Sequence, residues 1–163
     1  MSEHSPDYSF GVRPAAFPGD LAVVLEIFRE YVHSPTASLD YQGFEAEFAS
    51  LPGKYALPAG VILLAWREQA LLGCAALRPV DALRGEMKRV YVRPAARGQG
   101  VGRQLVEAVL SHARQVGYRQ VCLDVLPEFA TARALYQQLG FQPAPPVTHN
   151  PVPGTAFLAL DLL

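Results

Sequence analysis

The sequence predicts a mixed α/β fold in which helices cover a central sheet. Three observations predict it. Apolar runs of strand length recur along the chain, amphipathic stretches at helical spacing lie between them, and Gly and Pro separate the two kinds. With 163 residues, half of them hydrophobic and 18% charged, one domain spanning 1–163 and holding a sizeable core is expected.

Tyr8 to Arg13 alternate weakly and read as a first strand ending at Pro14. A helix follows. Pro18 and Asp20 suit its first turn, and Leu21, Val24, Leu25, Phe28, Tyr31 and Val32 form a buried stripe until Ser34-Pro35 breaks it. A shorter helical pattern from about 40 to 51 carries Phe44, Phe48 and Leu51 on one face, and Pro52-Gly53 ends it, leaving Lys54 to Gly60 as a loop. Val61 to Trp66 and Ala70 to Arg78, joined by the turn Arg67-Glu68-Gln69, make a hairpin in which Gly73 marks a bulge or tight packing. The loop Pro79 to Gly85 leads to a central strand, Glu86 to Arg93. A helix from about 100 to 116 stops at Gly117, Gln120 to Leu126 is the next strand, and a short helix from Ala130 to Leu139 stops at Gly140. The proline-rich stretch 142–154 is a loop with at most a brief strand, and Ala156 to Leu162 closes the sheet.

Composition excludes several function classes. The net charge is −1, and basic residues concentrate only between Lys88 and Arg103, so no nucleic-acid surface is expected. Cys74 and Cys122 sit in apolar runs as small buried hydrophobes. His4, His33, His112 and His149 have no metal-ligand spacing, and no metal is expected. The first ten residues have no basic start followed by an apolar segment, and no run approaches a membrane span. A cytoplasmic, reduced protein with no membrane partner is the expectation.

Chemistry concentrates in Val90 to Leu105, where a Val-Tyr-Val strand stops at Pro94, turns through a basic glycine-rich loop and enters an amphipathic helix. Helix first-turn amides lack intrahelical partners and carry the positive end of the dipole, which phosphate oxygens satisfy. Gly98, Gly100 and Gly102 remove the Cβ atoms that would keep a phosphate away, and Arg97 and Arg103 add cationic donors. A Walker loop is excluded because Arg103-Gln104 follows Gly102, and no Gly-x-Gly-x-x-Gly can be counted from Gly98 or Gly100. What remains is Arg97-x-x-Gly100-x-Gly102, a pattern that a tight strand-to-helix turn also produces.

A second stretch, Ala134-Leu-Tyr136-Gln-Gln-Leu-Gly140-Phe141, lies one strand later. In this order and spacing the two stretches resemble the landmarks of the GCN5-related N-acetyltransferases (GNAT), which move an acetyl group from acetyl-CoA to an amine. The resemblance covers most of the chain and implies a mainly antiparallel central sheet. It implies that Arg97, Gly98, Gln99, Gly100, Val101, Gly102 and Arg103 hold the CoA pyrophosphate. It further implies that Val90, Tyr91 and Val92 pair with the pantetheine amides, where the central strand splays from Gln120 to Leu126. Tyr136 matches the tyrosine near the thioester sulfur; a phenol, with an ordinary pKa of about 10, donates at neutral pH. Tyr136 also fits as a helix aromatic packed under the sheet.

Glu86 is the best carboxylate for deprotonating the acceptor, directly or through a water, although beside Lys88 and Arg89 it also fits as an ion pair. Glu45 and Glu47 are weaker candidates for acceptor contacts. Many family members carry Asn seven residues before the motif tyrosine, where this chain has Phe129, an apolar cofactor contact in its place. Tyr41-Gln-Gly-Phe-Glu45, Leu51-Pro-Gly-Lys-Tyr55 and Asn150-Pro-Val-Pro-Gly154 resemble a bacterial subgroup of small stand-alone acetyltransferases. That likeness draws the 150–154 loop, with His149 beside it, toward the acceptor. The expected activity is direct acetyl transfer in a ternary complex, to a small or amino-acid-like amine first and a protein amino group second. A non-catalytic CoA-binding module, a longer acyl donor and a homodimer stay open.

Overall fold

The computed structural model describes residues 9–39 and 43–162. Tyr8 and the expected helix start at 40–42 lie outside them. In chain order the elements are β1 (Gly11–Pro14), α1 (Leu21–Val32), α2 (Phe44–Ala49), β2 (Val61–Arg67), β3 (Ala70–Pro79), β4 (Arg84–Val92), α3 (Val101–Gln115), β5 (Gln120–Val125), α4 (Ala130–Gln138), β6 (Gln142–Pro143) and β7 (Ala156–Asp161). Single 3-10 turns cover Gly53–Tyr55 and Pro94–Ala96.

The strands form one sheet in the order β1-β2-β3-β4-β5-β7-β6. Every pairing is antiparallel except β4 with β5. A parallel pair needs a crossover, and α3 supplies it. The sheet divides the core in two because successive strand residues face opposite sides. Leu63, Leu77, Met87, Val121 and Leu123 pack with Leu105, Val106 and Val109 of α3. Ile62, Leu64, Cys74 and Ala76 pack with Val24, Ile27 and Phe28 of α1 and with Phe44 and Phe48 of α2.

Most expected boundaries agree within two residues. β4 begins at Arg84 rather than Glu86, because the Asp81 carboxylate accepts the amides of Leu83 (3.0 Å) and Arg84 (2.9 Å) and closes the preceding turn tightly. Gly73 sits beside a register shift, and a Cβ there would stand 2.6 Å from the Tyr91 carbonyl oxygen, so the strand needs glycine at this crossing. Cys74 and Cys122 are buried free thiols, and burial pushes both pKa values up. Among the described residues no helix is long and apolar enough to cross a membrane, and no cluster of His, Cys, Asp and Glu could hold a metal ion.

Candidate active site

The site exists because β4 and β5 pair for only three residues. Their ladder runs Arg84 with Gln120, Gly85 with Val121 and Glu86 with Cys122, and then stops. From Met87 onward the strands diverge, and a cleft of about 780 Å³ opens between them. A bulge in β4 accompanies the divergence. Lys88 pairs with Ala76 and Tyr91 with Cys74, so Arg89 and Val90 together oppose Ala75. Arg89 adopts φ +59°, a left-handed conformation that is uncommon outside glycine.

One end of the cleft is an anion cradle. Gly98 (φ +77°) and Gly100 (φ +82°) hold left-handed turns, and added Cβ atoms would project into open space at both. Gly100 caps α3 without a side-chain hydrogen bond, and the first intrahelical bond runs from the Gln104 amide to the Gly100 carbonyl (3.2 Å). The amides of Val101, Gly102 and Arg103 therefore lack helical partners at the positive end of a fifteen-residue helix. Arg97 donates to the Val92 carbonyl at 3.1 Å, and Arg103 pairs with Glu107 at 3.2 Å, both on the cleft wall. These groups fit a pyrophosphate.

The wall brings together Val90, Tyr91, Val92, Arg97, Gly98, Gly100, Val101, Gly102, Arg103, Phe129 and Tyr136. Of the expected catalytic and cofactor-binding residues, two stand elsewhere. Gln99 is turned to the scaffold, accepting from Arg67 at 2.7 Å and donating to the Ala95 carbonyl at 3.3 Å. Glu86 is 1% exposed and off the wall; one carboxylate oxygen takes Arg78 Nε (3.0 Å) and Nη2 (2.9 Å), and the other takes the Thr148 hydroxyl (3.0 Å). The ion pair anticipated for Glu86 forms with Arg78, across the β3–β4 ladder, rather than with Lys88 or Arg89.

Tyr136 is 5% exposed on α4, its ring 5.7 Å from that of Phe141. It both packs and lines the cleft. Burial, reinforced by Tyr31 and Asp124, pushes its pKa well above the ordinary phenol value, so the hydroxyl stays protonated and able to donate.

At the opposite end of the cleft lies a layer of charged side chains on the α1/α2 side of the sheet, of which Lys88, Arg89, Asp124 and Glu128 reach the wall. Glu47 accepts the Tyr55 hydroxyl (2.7 Å) and Arg89 Nε (3.0 Å) and Nη2 (2.9 Å), with Arg78 at 3.9 Å. Arg89 is buried, with its guanidinium carbon 5.6 Å from the Tyr31 ring centroid and 5.8 Å from that of Phe48. Asn150 donates to Asp124 at 2.7 Å, and its own carbonyl oxygen is fixed by the Val152 amide (3.0 Å) and the Thr155 hydroxyl (3.3 Å). Glu128 accepts the Thr36 amide (3.1 Å) and hydroxyl (3.2 Å), tying the chain after α1 to the chain before α4 at the rim. Glu45 pairs with Arg29 at 3.3 Å on the exposed surface, and His149 is not on the cleft wall.

Sequence alone did not single out Arg78 or Asp124, and it placed Lys88 and Arg89 only as possible partners of Glu86. A signal was present for Arg78 and Asp124, each the one charge of its strand, but not for Lys88 and Arg89, since β4 also carries Arg84 and Glu86.

The family model described as the acetyltransferase (GNAT) family matches residues 24–141. The chain belongs to the GNAT family. It is thereby an acetyl-CoA-dependent N-acetyltransferase. An uncharacterized N-acetyltransferase of Schizosaccharomyces pombe is 32% identical over 156 residues, covering 94% of this chain and 96% of its own. Among solved structures, a GNAT family acetyltransferase of Elizabethkingia anophelis with acetyl-CoA bound is similar at TM-score 0.63 and 19% identity, covering 94% of this chain and 98% of that one. The PaiA N-acetyltransferase of Thermoplasma acidophilum in complex with coenzyme A is similar at TM-score 0.71 and 16% identity, covering 94% and 99%. At these identities the likeness is one of fold.

Proposed function

We propose that this chain transfers the acetyl group directly to the amine of a small or amino-acid-like acceptor, with both substrates bound at once in the β4–β5 cleft. The observation that carries this reading is the cleft itself, which joins a phosphate cradle at Gly98–Arg103 to a charged layer through a wall bearing Tyr136. The cosubstrate supplies an activated acetyl thioester. Its pyrophosphate suits the α3 amides with Arg97 and Arg103, and its pantetheine suits the β4 edge at Val90 to Val92, where the ladder to β5 has ended. Phe129 packs against both halves of the core beside that path and offers apolar contact. The Tyr136 hydroxyl, kept protonated by its burial, is the proton donor for the departing sulfur. The near-neutral balance of the charged layer favours a small acceptor over a protein amino group.

Thermal unfolding with acetyl-CoA, free CoA or ATP tests the reading. Acetyl-CoA at about a hundred times its Kd is expected to add about 2.7 kcal/mol of stability, with CoA acting similarly and ATP not. No shift at saturating acetyl-CoA overturns it. Tyr136→Phe is then expected to keep the shift and to lose about a hundredfold or more in turnover, measured as CoA thiol release. A module that binds without chemistry would release no thiol in either form.

A further inference from the structure

Lys88 and Asp124 are two charges at the acceptor end that no ion pair among the described residues holds. If the parallel register continued beyond Glu86 and Cys122, Lys88 would oppose Asp124 directly. The two share a face of the sheet: Lys88 pairs with Ala76 of the α1/α2 core, and the neighbours of Asp124, Leu123 and Val125, lie in the α3 core. The strands have parted at this level, so both side chains line the cleft, and no ion pair joins them. The other charges of the layer are matched, Arg89 with Glu47 and Arg78 with Glu86.

Lys88 is the unusual member. It is 8% exposed, and among the described residues its ammonium makes no hydrogen bond or ion pair. Such a cation is costly to bury unless a counter-ion reaches it. A polyamine would place a second cation against it, and a simple monoamine would leave it unmatched. A carboxylate beside the amine satisfies it.

We propose that the acceptor is an amine that also carries a carboxylate, an α-amino acid or a close relative, with the carboxylate on Lys88 and the amine on Asp124, which serves as its base. This rests on the acetyl-transfer reading above. Asn150 holds the Asp124 carboxylate by one oxygen, at 2.7 Å, and leaves the other for the acceptor. The ammonium gives one proton to that oxygen. The freed nitrogen lone pair forms the N–C bond to the acetyl carbonyl carbon as the C–S bond breaks, and the sulfur takes the Tyr136 phenolic proton. The second nitrogen proton returns to the phenolate and the Asp124 proton passes to water, so each turnover releases one proton.

The test compares a panel of L-α-amino acids with the matching α-amino amides, in which a neutral carboxamide replaces the carboxylate, by CoA release from acetyl-CoA. The carboxylate form is expected to have at least tenfold higher kcat/KM with the preferred side chain. Lys88→Met should remove most of that gap by lowering the acid arm alone. Asp124→Asn should lower both arms more than a hundredfold, Glu86→Gln much less, and every variant should keep the acetyl-CoA thermal shift. The wild-type comparison stands whether or not a variant folds. Equal rates with the two sets, turnover only with carboxylate-free amines, or no turnover with either while acetyl-CoA still raises the Tm overturns the proposal and leaves acetyl transfer in place. Absence of the thermal shift in the wild type removes both.

Discussion

The two ends of the cleft are built by opposite strategies. The cradle comes from one contiguous stretch, and its chemistry belongs to the backbone: left-handed glycines at 98 and 100 and unpartnered amides at the start of α3. The charged layer draws on α2, β3, β4, β5 and the 148–155 loop, and its chemistry belongs to side chains. A backbone site reads an anionic handle, and the rest of the ligand's affinity has to come from elsewhere along the cleft. A side-chain site is rebuilt by single substitutions, which is why acceptor selection is proposed there.

The largest expected effect strikes the charged layer. Glu47→Gln removes the carboxylate that pairs with the buried Arg89 at 2.9 Å, and breaking a buried pair from one side costs about 3–5 kcal/mol. Because the Glu47 side chain is 16% exposed, about 3 kcal/mol is expected, read as a lower denaturant midpoint. A loss below about 1 kcal/mol would mean that Tyr31 and Phe48, not Glu47, hold the guanidinium.

A smaller effect is expected at the cradle. Gly100→Ala places a Cβ in a left-handed residue, at a strain of about 1 kcal/mol or somewhat more, with no atom within 4 Å to clash. The methyl group projects where the phosphate is proposed to lie, so the acetyl-CoA thermal shift should fall far more than the fold weakens. Equal losses in both would break the contrast between the ends.

The smallest effect has the opposite sign. Lys88→Met is expected to stabilise the protein by about 1 kcal/mol, because a desolvated cation is replaced by an apolar chain of similar length. Burial is the leading cause that lowers the Lys88 pKa, and Arg78 and Arg89 add to it against Glu86 and Asp124. The unfolded chain therefore binds the extra proton, and wild-type stability gains as pH rises from that lowered value toward 10.5. The advantage of Lys88→Met should fade over the same window. An advantage unchanged with pH would separate the effect from the charge.

Sequence made the two ends unequally legible. Gly98 and Gly100 announce themselves because a left-handed turn before a helix leaves a local pattern, and the short helix carrying Tyr136 follows one strand later. The hairpin, the central strand and the closing strand were readable from apolar runs for the same reason. Glu86 was legible as a charged residue and illegible as a neighbour. Its partners Arg78 and Thr148 lie eight and 62 residues away, and only the β3–β4 register and the return of the tail bring them together. Asp124 and Lys88 suffer the same blindness, since their significance depends on a ladder that stops two residues short of pairing them.

That interrupted ladder also leaves the sheet in two parts, with α3 packed across both. Strands β1 to β4 form one panel and β5 to β7 another, with three residue pairs as the seam. An extended ligand lying against β4 takes the position of a strand the chain never supplies. In the proposed binding mode cosubstrate and architecture are not separate matters: the molecule borrows part of its sheet from its cosubstrate, and returns it at every product release.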